Sequence, residues 1–115
     1  MPPKTSVPPK IVPLKISTRA RAHLRSLAHH LDPVSQIGHD GLTEAFVKAV
    51  SIALERHELI KIRVAQAYEG DRREAAQALA AQLGADVTQT IGRVIVLYRP
   101  RKKLDPKRPA IVLPD

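Results

Sequence analysis

At 115 residues, with a formal net charge of +8 and a pI near 10.3, the chain is long enough for one domain with a real core and too short for two ordinary ones. It contains no cysteine, which excludes a disulfide framework and a thiolate zinc site. The sequence carries neither a secretory pattern nor a membrane-length apolar run, so a cytoplasmic protein without membrane attachment is expected. The excess of base calls for a polyanionic partner, nucleic acid before an anionic membrane surface.

In chain order, Pro2, Pro3, Pro8, Pro9 and Pro13 break any helix and favour an extended lead-in. Residues 1–16 therefore read as a disordered, Pro-rich tail made basic by Lys4, Lys10 and Lys15. Ser17 is the expected N-cap of a helix from Thr18 to His30, in which Leu24, Leu27, Ala28 and Leu31 recur at helical spacing before Asp32-Pro33 stops it. Arg21, Arg25 and His29, each four residues apart, form one stripe beside that apolar face, and no acid in the helix neutralises them.

Val34 to Ile37 predicts a short strand, and Gly38-His39-Asp40-Gly41 separates it from an amphipathic helix running from about Thr43 to His57. Two glycines three apart let the backbone approach a ligand closely, and the helix start behind them aims unpaired N–H groups at that place, so a phosphate is the natural guest. The competing reading is a plain tight turn, with Asp40 either capping the helix or repelling phosphate.

Ile60, Ile62 and Val64 alternate with Lys61 and Arg63, as in a strand with one buried and one basic, wet face. Gly70-Asp71 opens a third helix, which turns Ala76, Leu79, Ala80 and Leu83 inward and stops at Gly84. Val87–Ile91 and Val94–Tyr98 flank Gly92-Arg93, a two-residue turn suited to an antiparallel hairpin. The order α-β-α-β-α-β-β implies an α/β fold, a two-layer, four-stranded mixed sheet with three helices and a central last strand. Residues 17–98 form the domain, and residues 99–115 form a basic C-terminal tail with Arg99, Arg101, Lys102, Lys103, Lys107 and Arg108. The tails hold +3 and +4, the domain only +1.

Phe46, Tyr68 and Tyr98 are the only aromatics, too few for a base-stacking sheet, so RNA backbone and shape are the expected target. His29, His30, His39, Asp40 and His57 match neither metal-ligand nor catalytic spacing. No cofactor, metal, small-molecule substrate or enzymatic activity is expected.

Three blocks in order, Leu31–Glu44 around the glycine turn, His57–Ile62 and Ile91–Arg99, resemble the CRM (chloroplast RNA splicing and ribosome maturation) domain family, particularly its stand-alone bacterial YhbY-type members. Ile111-Val112-Leu113-Pro114 resembles the family's ending. The resemblance implies a fold similar to the C-terminal domain of translation initiation factor three, RNA binding, and association with precursors of the large ribosomal subunit. It also implies RNA contact by Gly38, His39, Asp40 and Gly41, although His39 and Asp40 stand where the family often has a basic residue. With the turn, the expected RNA-binding residues are Arg21, Arg25, His29, Lys61, Arg63, Arg99, Arg101, Lys102 and Lys103, acting in a monomer. The alternative is a protein-interaction adaptor that recruits partners through its tails without touching RNA.

Overall fold

The structure, a computed structural model, describes residues 16–101 and 110–114. The expectations placed on residues 1–15, 102–109 and 115, Lys102 and Lys103 among them, lie outside these. Seven elements follow in the expected order: α1 (Thr18–Ala28), β1 (Ser35–Ile37), α2 (Glu44–His57), β2 (Leu59–Val64), α3 (Arg72–Leu83), β3 (Asp86–Ile91) and β4 (Val94–Tyr98). Each helix begins where a side chain accepts an orphan N–H. Ser17 Oγ takes Ala20 N at 3.0 Å, Thr43 Oγ1 takes Phe46 N at 3.1 Å, and Asp71 Oδ1 takes Arg73 N at 2.7 Å and Glu74 N at 3.0 Å. Asp40 therefore does not cap α2; Thr43 does. Gly84 closes α3 in the left-handed conformation at φ 64°, the C-terminal stop that glycine allows without a Cβ clash.

The sheet runs β1-β2-β4-β3. β1 pairs with β2 in parallel, Ile37 opposite Val64. β4 lies antiparallel to both β2 and β3, Ile95 opposite Ile62 and Ile91 opposite Val94, so the central strand and the hairpin stand as expected.

The layering differs from expectation. Ile60, Ile62, Val64, Ile95 and Leu97 point to one face and pack on Val50 and Leu54 of α2 and Ala76 and Leu79 of α3. The alternate residues Leu59, Val96 and Tyr98 point to the other face and pack on Leu24 and Ala28 of α1. The sheet is thus sandwiched between α2/α3 and α1, because the period-two alternation of β2 and β4 gives both faces an apolar row. α1 also ends two residues earlier than predicted, and Leu27 and the following Leu31, expected in the core, are 39% and 37% exposed. They lie at the edge of the helix-sheet contact beside Leu59, Ile60 and Ile111.

The C-terminal segment folds back. Ile111 and Leu113, with Ile16, pack on the α1 cluster. Glu58, 2% exposed, accepts Arg101 N on Oε2 at 2.6 Å and Ile111 N on Oε1 at 2.8 Å. One buried carboxylate thereby holds the chain on both sides of residues 102–109. Glu58 follows α2 at φ 64°, a conformation costing a non-glycine residue about 1–3 kcal/mol. It is offset by four hydrogen bonds, these two with Glu58 N to Leu54 O and Arg99 N to Glu58 O, both 2.8 Å.

Candidate nucleic-acid interface

The glycine turn follows β1 and is closed by Gly41 N donating to Gly38 O at 3.1 Å. Gly41 has φ +69°, where glycine is favoured, whereas Gly38 has no positive φ and open space around the place of a Cβ. His39 and Asp40 are both exposed at its tip. The turn is a small, backbone-rich knob at the C-terminal end of the parallel pair, directly ahead of α2.

Next to it stands Tyr68, in the β2–α3 connection. A Cβ added at Gly41 would lie 3.5 Å from Tyr68 Cε1, and one added at Gly70 would run into the Tyr68 hydroxyl. The ring is therefore held between two glycines, one in the turn and one just ahead of α3. By its sequence Gly70 is a helix-start signal and Tyr68 carries no assigned role. The two residues touch only once the connection has folded, though their spacing of two was visible.

On the other face, α1 covers only part of the sheet. Arg25 from the helix, His29 and His30 just past its end, and Lys61 and Gln89 from the strands line one groove of about 590 Å3, with no acid among its lining residues. The structure thus brings together three of the residues expected to bind RNA, Arg25, His29 and Lys61. His30 joins them because the chain has left the helix there, and its ring meets that of His29 edge-on, centroids 5.3 Å apart. Arg63 is exposed on the same sheet face, outside the groove.

Three expected contacts are engaged elsewhere. Arg21 leaves the α1 stripe for β3, with Nη2 to Asp86 Oδ1 at 2.8 Å and Nε to Oδ2 at 3.4 Å. The Asp86 carboxylate, which also accepts Thr88 Oγ1 at 3.1 Å, raises the Arg21 pKa above its ordinary value by that hydrogen bond. Arg99 is not part of a flexible arm: its guanidinium donates to Leu83 O at 3.1 Å and Ser51 O at 3.0 Å and lies 3.4 Å from Glu55 Oε2. Arg101 donates to Glu55 O at 3.0 Å and Arg56 O at 2.6 Å, the free carbonyls at the end of α2. A cation suits that helix end by charge as well as by hydrogen bonding. Beneath them, burial and the Glu58 charge push the Tyr98 hydroxyl pKa up.

A third basic feature escaped the sequence reading. Arg72 and Arg73 at the start of α3, Arg93 of the β3–β4 turn, Tyr68, Asp71 and Val64 surround a cleft of about 380 Å3. Among the described residues, no group of three or more His, Asp or Glu is arranged to hold a metal ion.

The chain as a whole is similar to known proteins. An RNA-binding protein of Haemophilus influenzae is 41% identical over 88 residues, which is 76% of this chain and 89% of that protein. A Bacillus subtilis protein named as a probable RNA-binding protein is 40% identical over 88 residues, 76% of this chain and 92% of its own. A solution structure from Staphylococcus aureus superposes with a TM-score of 0.70 at 37% identity, covering 87% of this chain and 100% of that one. Residues 16–99 match the CRS1/YhbY (CRM) domain, and the chain belongs to that family.

Proposed function

We propose that the protein binds RNA through its sugar-phosphate backbone, using the groove between α1 and the sheet together with the Gly38–Gly41 turn. The observation that carries this reading is the groove itself, where Arg25, His29 and His30 face Lys61 with no carboxylate in the lining. A concave surface with cations on both walls makes the potential positive along its whole length, which suits a polyanionic chain more than a single ion. The turn adds backbone amides and a close approach, so it orients the strand while the groove attracts it. The names of the H. influenzae and B. subtilis relatives support RNA as the ligand. The likeness to the CRM family supports precursors of the large ribosomal subunit as the source of that RNA.

Sedimentation of the tagged protein through a sucrose gradient of cell extract tests this reading. Co-migration with large-subunit precursors is expected, lost after nuclease treatment and weakened as salt rises. Association that survives nuclease and is insensitive to salt would instead favour the adaptor reading, in which the chain binds protein.

A further inference from the structure

Tyr68 and three arginines, none of them assigned to RNA by the sequence, stand between the two surfaces just described. On one side, Tyr68 lies against Gly41 of the glycine turn and Gly70 ahead of α3. On the other, the β3–β4 turn is shared: Ile91 and Val94 line the α1 groove, while Arg93 between them lines the arginine cleft. Val64 N donates to Arg93 O at 2.7 Å, fixing that turn to the end of β2. The cleft therefore joins the turn to the groove at one end of the sheet.

Its lining combines three guanidinium groups with an aromatic ring. Arg72, Arg73 and Arg93 are exposed and make no ion pair among the described residues. Asp71 is the only acid in the lining, and its carboxylate is occupied by the Arg73 and Glu74 amides. Because Asp71 fills the N-terminus of α3, attraction of an anion there falls to the guanidinium groups, whose planar fork matches phosphate oxygens. Tyr68 is half-buried and forms a wall of the same cleft. An aromatic wall beside converging guanidinium groups offers a base something to stack on while its phosphate is held.

We propose that this cleft is a nucleotide subsite for single-stranded RNA, in which Arg72, Arg73 and Arg93 hold backbone phosphate, Tyr68 supports a base, and the strand continues from the Gly38–Gly41 turn toward the α1 groove. The proposal rests on the RNA-binding reading above and adds a location that reading does not use.

The test is fluorescence anisotropy of a labelled single-stranded RNA of about 12 nucleotides, a length within the range of single-strand binding sites, titrated at several salt concentrations. Four forms of the full chain are compared. These are the wild type, the cleft variant Arg72→Ala/Arg73→Ala/Arg93→Ala, a control of equal charge loss, Arg19→Ala/Lys48→Ala/Arg56→Ala, and Tyr68→Phe. All six charged positions are exposed, and circular dichroism establishes folding. The cleft variant is expected to bind at least about tenfold more weakly at low salt, with a log–log salt slope shallower by about 2, three contacts at about 0.7 each. The control should change far less, and Tyr68→Phe, which keeps the ring, should bind like the wild type.

If the wild type binds while the cleft and control variants lose affinity equally, or not at all, the subsite is overturned and the RNA-binding reading stands. If the wild type fails to bind, both fall. If AMP alone binds as tightly as the oligonucleotide, the cleft serves a small molecule and the proposal is equally overturned.

Discussion

The two glycines of the turn are unlike each other. Gly41 sits at φ +69° and Gly38 does not, so an alanine at 41 enters the left-handed region at about 1–2 kcal/mol, while one at 38 fits without strain. Gly38→Ala is expected to keep the melting temperature and weaken RNA binding by obstructing close approach. Gly41→Ala should lower both, and urea denaturation beside RNA titration separates the two effects. The α1 arginines divide in a similar way. Arg21 bonds a carboxylate whose side chain is 9% exposed, but is itself 36% exposed, so solvent screening limits the loss in Arg21→Ala to about 1 kcal/mol of stability. Arg25→Ala should leave stability unchanged and reduce RNA affinity several-fold with a shallower salt slope, since Arg25 is exposed in the groove. Equal effects of the two substitutions on RNA binding would show that the groove is not the attracting surface.

Among the elements, α3 is held most visibly by its first turn. Asp71 accepts the Glu74 and Arg73 amides, and these hydrogen bonds, aided by Arg73 and Arg72, hold its pKa below the usual carboxylate value. A depressed folded-state pKa means that the stabilisation is present above about pH 4 and is lost as the pH falls through the lower folded value. Asp71→Ala should therefore be less stable than the wild type at neutral pH, with the gap closing in acid, whereas Asp71→Asn keeps the cap and flattens the dependence. Thermal melts across the acid range read this directly; a gap that persists at low pH would mean the carboxylate charge is not what stabilises the turn.

At the scale of the whole molecule, Ile111 and Leu113 are part of the domain's packing. Cutting after Arg101 removes Ile111 and Leu113 from their cluster and one of the two N–H donors from the Glu58 carboxylate. The expected cost is about 3 kcal/mol or more in urea denaturation, because a buried charge loses a partner along with the apolar contact. An unchanged unfolding midpoint would show the segment to be dispensable. This return was hidden in the sequence, where the Lys- and Arg-rich residues after Tyr98 resemble a free arm. What recruits Arg99 and Arg101 is a set of helix carbonyls distant in sequence, Leu83 O 16 residues before Arg99 and Ser51 O and Glu55 O more than forty residues earlier, a relation that local spacing does not encode. Local signals did better. Ser17, Gly84 and Gly92-Arg93 mark their elements because caps and tight turns are decided within four residues, and the alternation in β2 gives its two faces. Which face α1 would cover is not contained in its own stripe, and the pairing of Arg21 with Asp86 spans 65 positions.

The parallel pairing of Ile37 with Val64 separates two kinds of work along one axis. The glycine turn, Tyr68 and the three cleft arginines gather where β1 and β2 end; Glu58, Arg99 and the returning segment gather where β2 begins. Substitutions of Gly38 and the cleft arginines at the first end should register in a dissociation constant and those at the second in an unfolding curve, while Gly41 and Asp71 register in both kinds of measurement or in stability alone. Reinforcing the packing around Glu58 should therefore make the protein sturdier while leaving the glycine-turn end as it is.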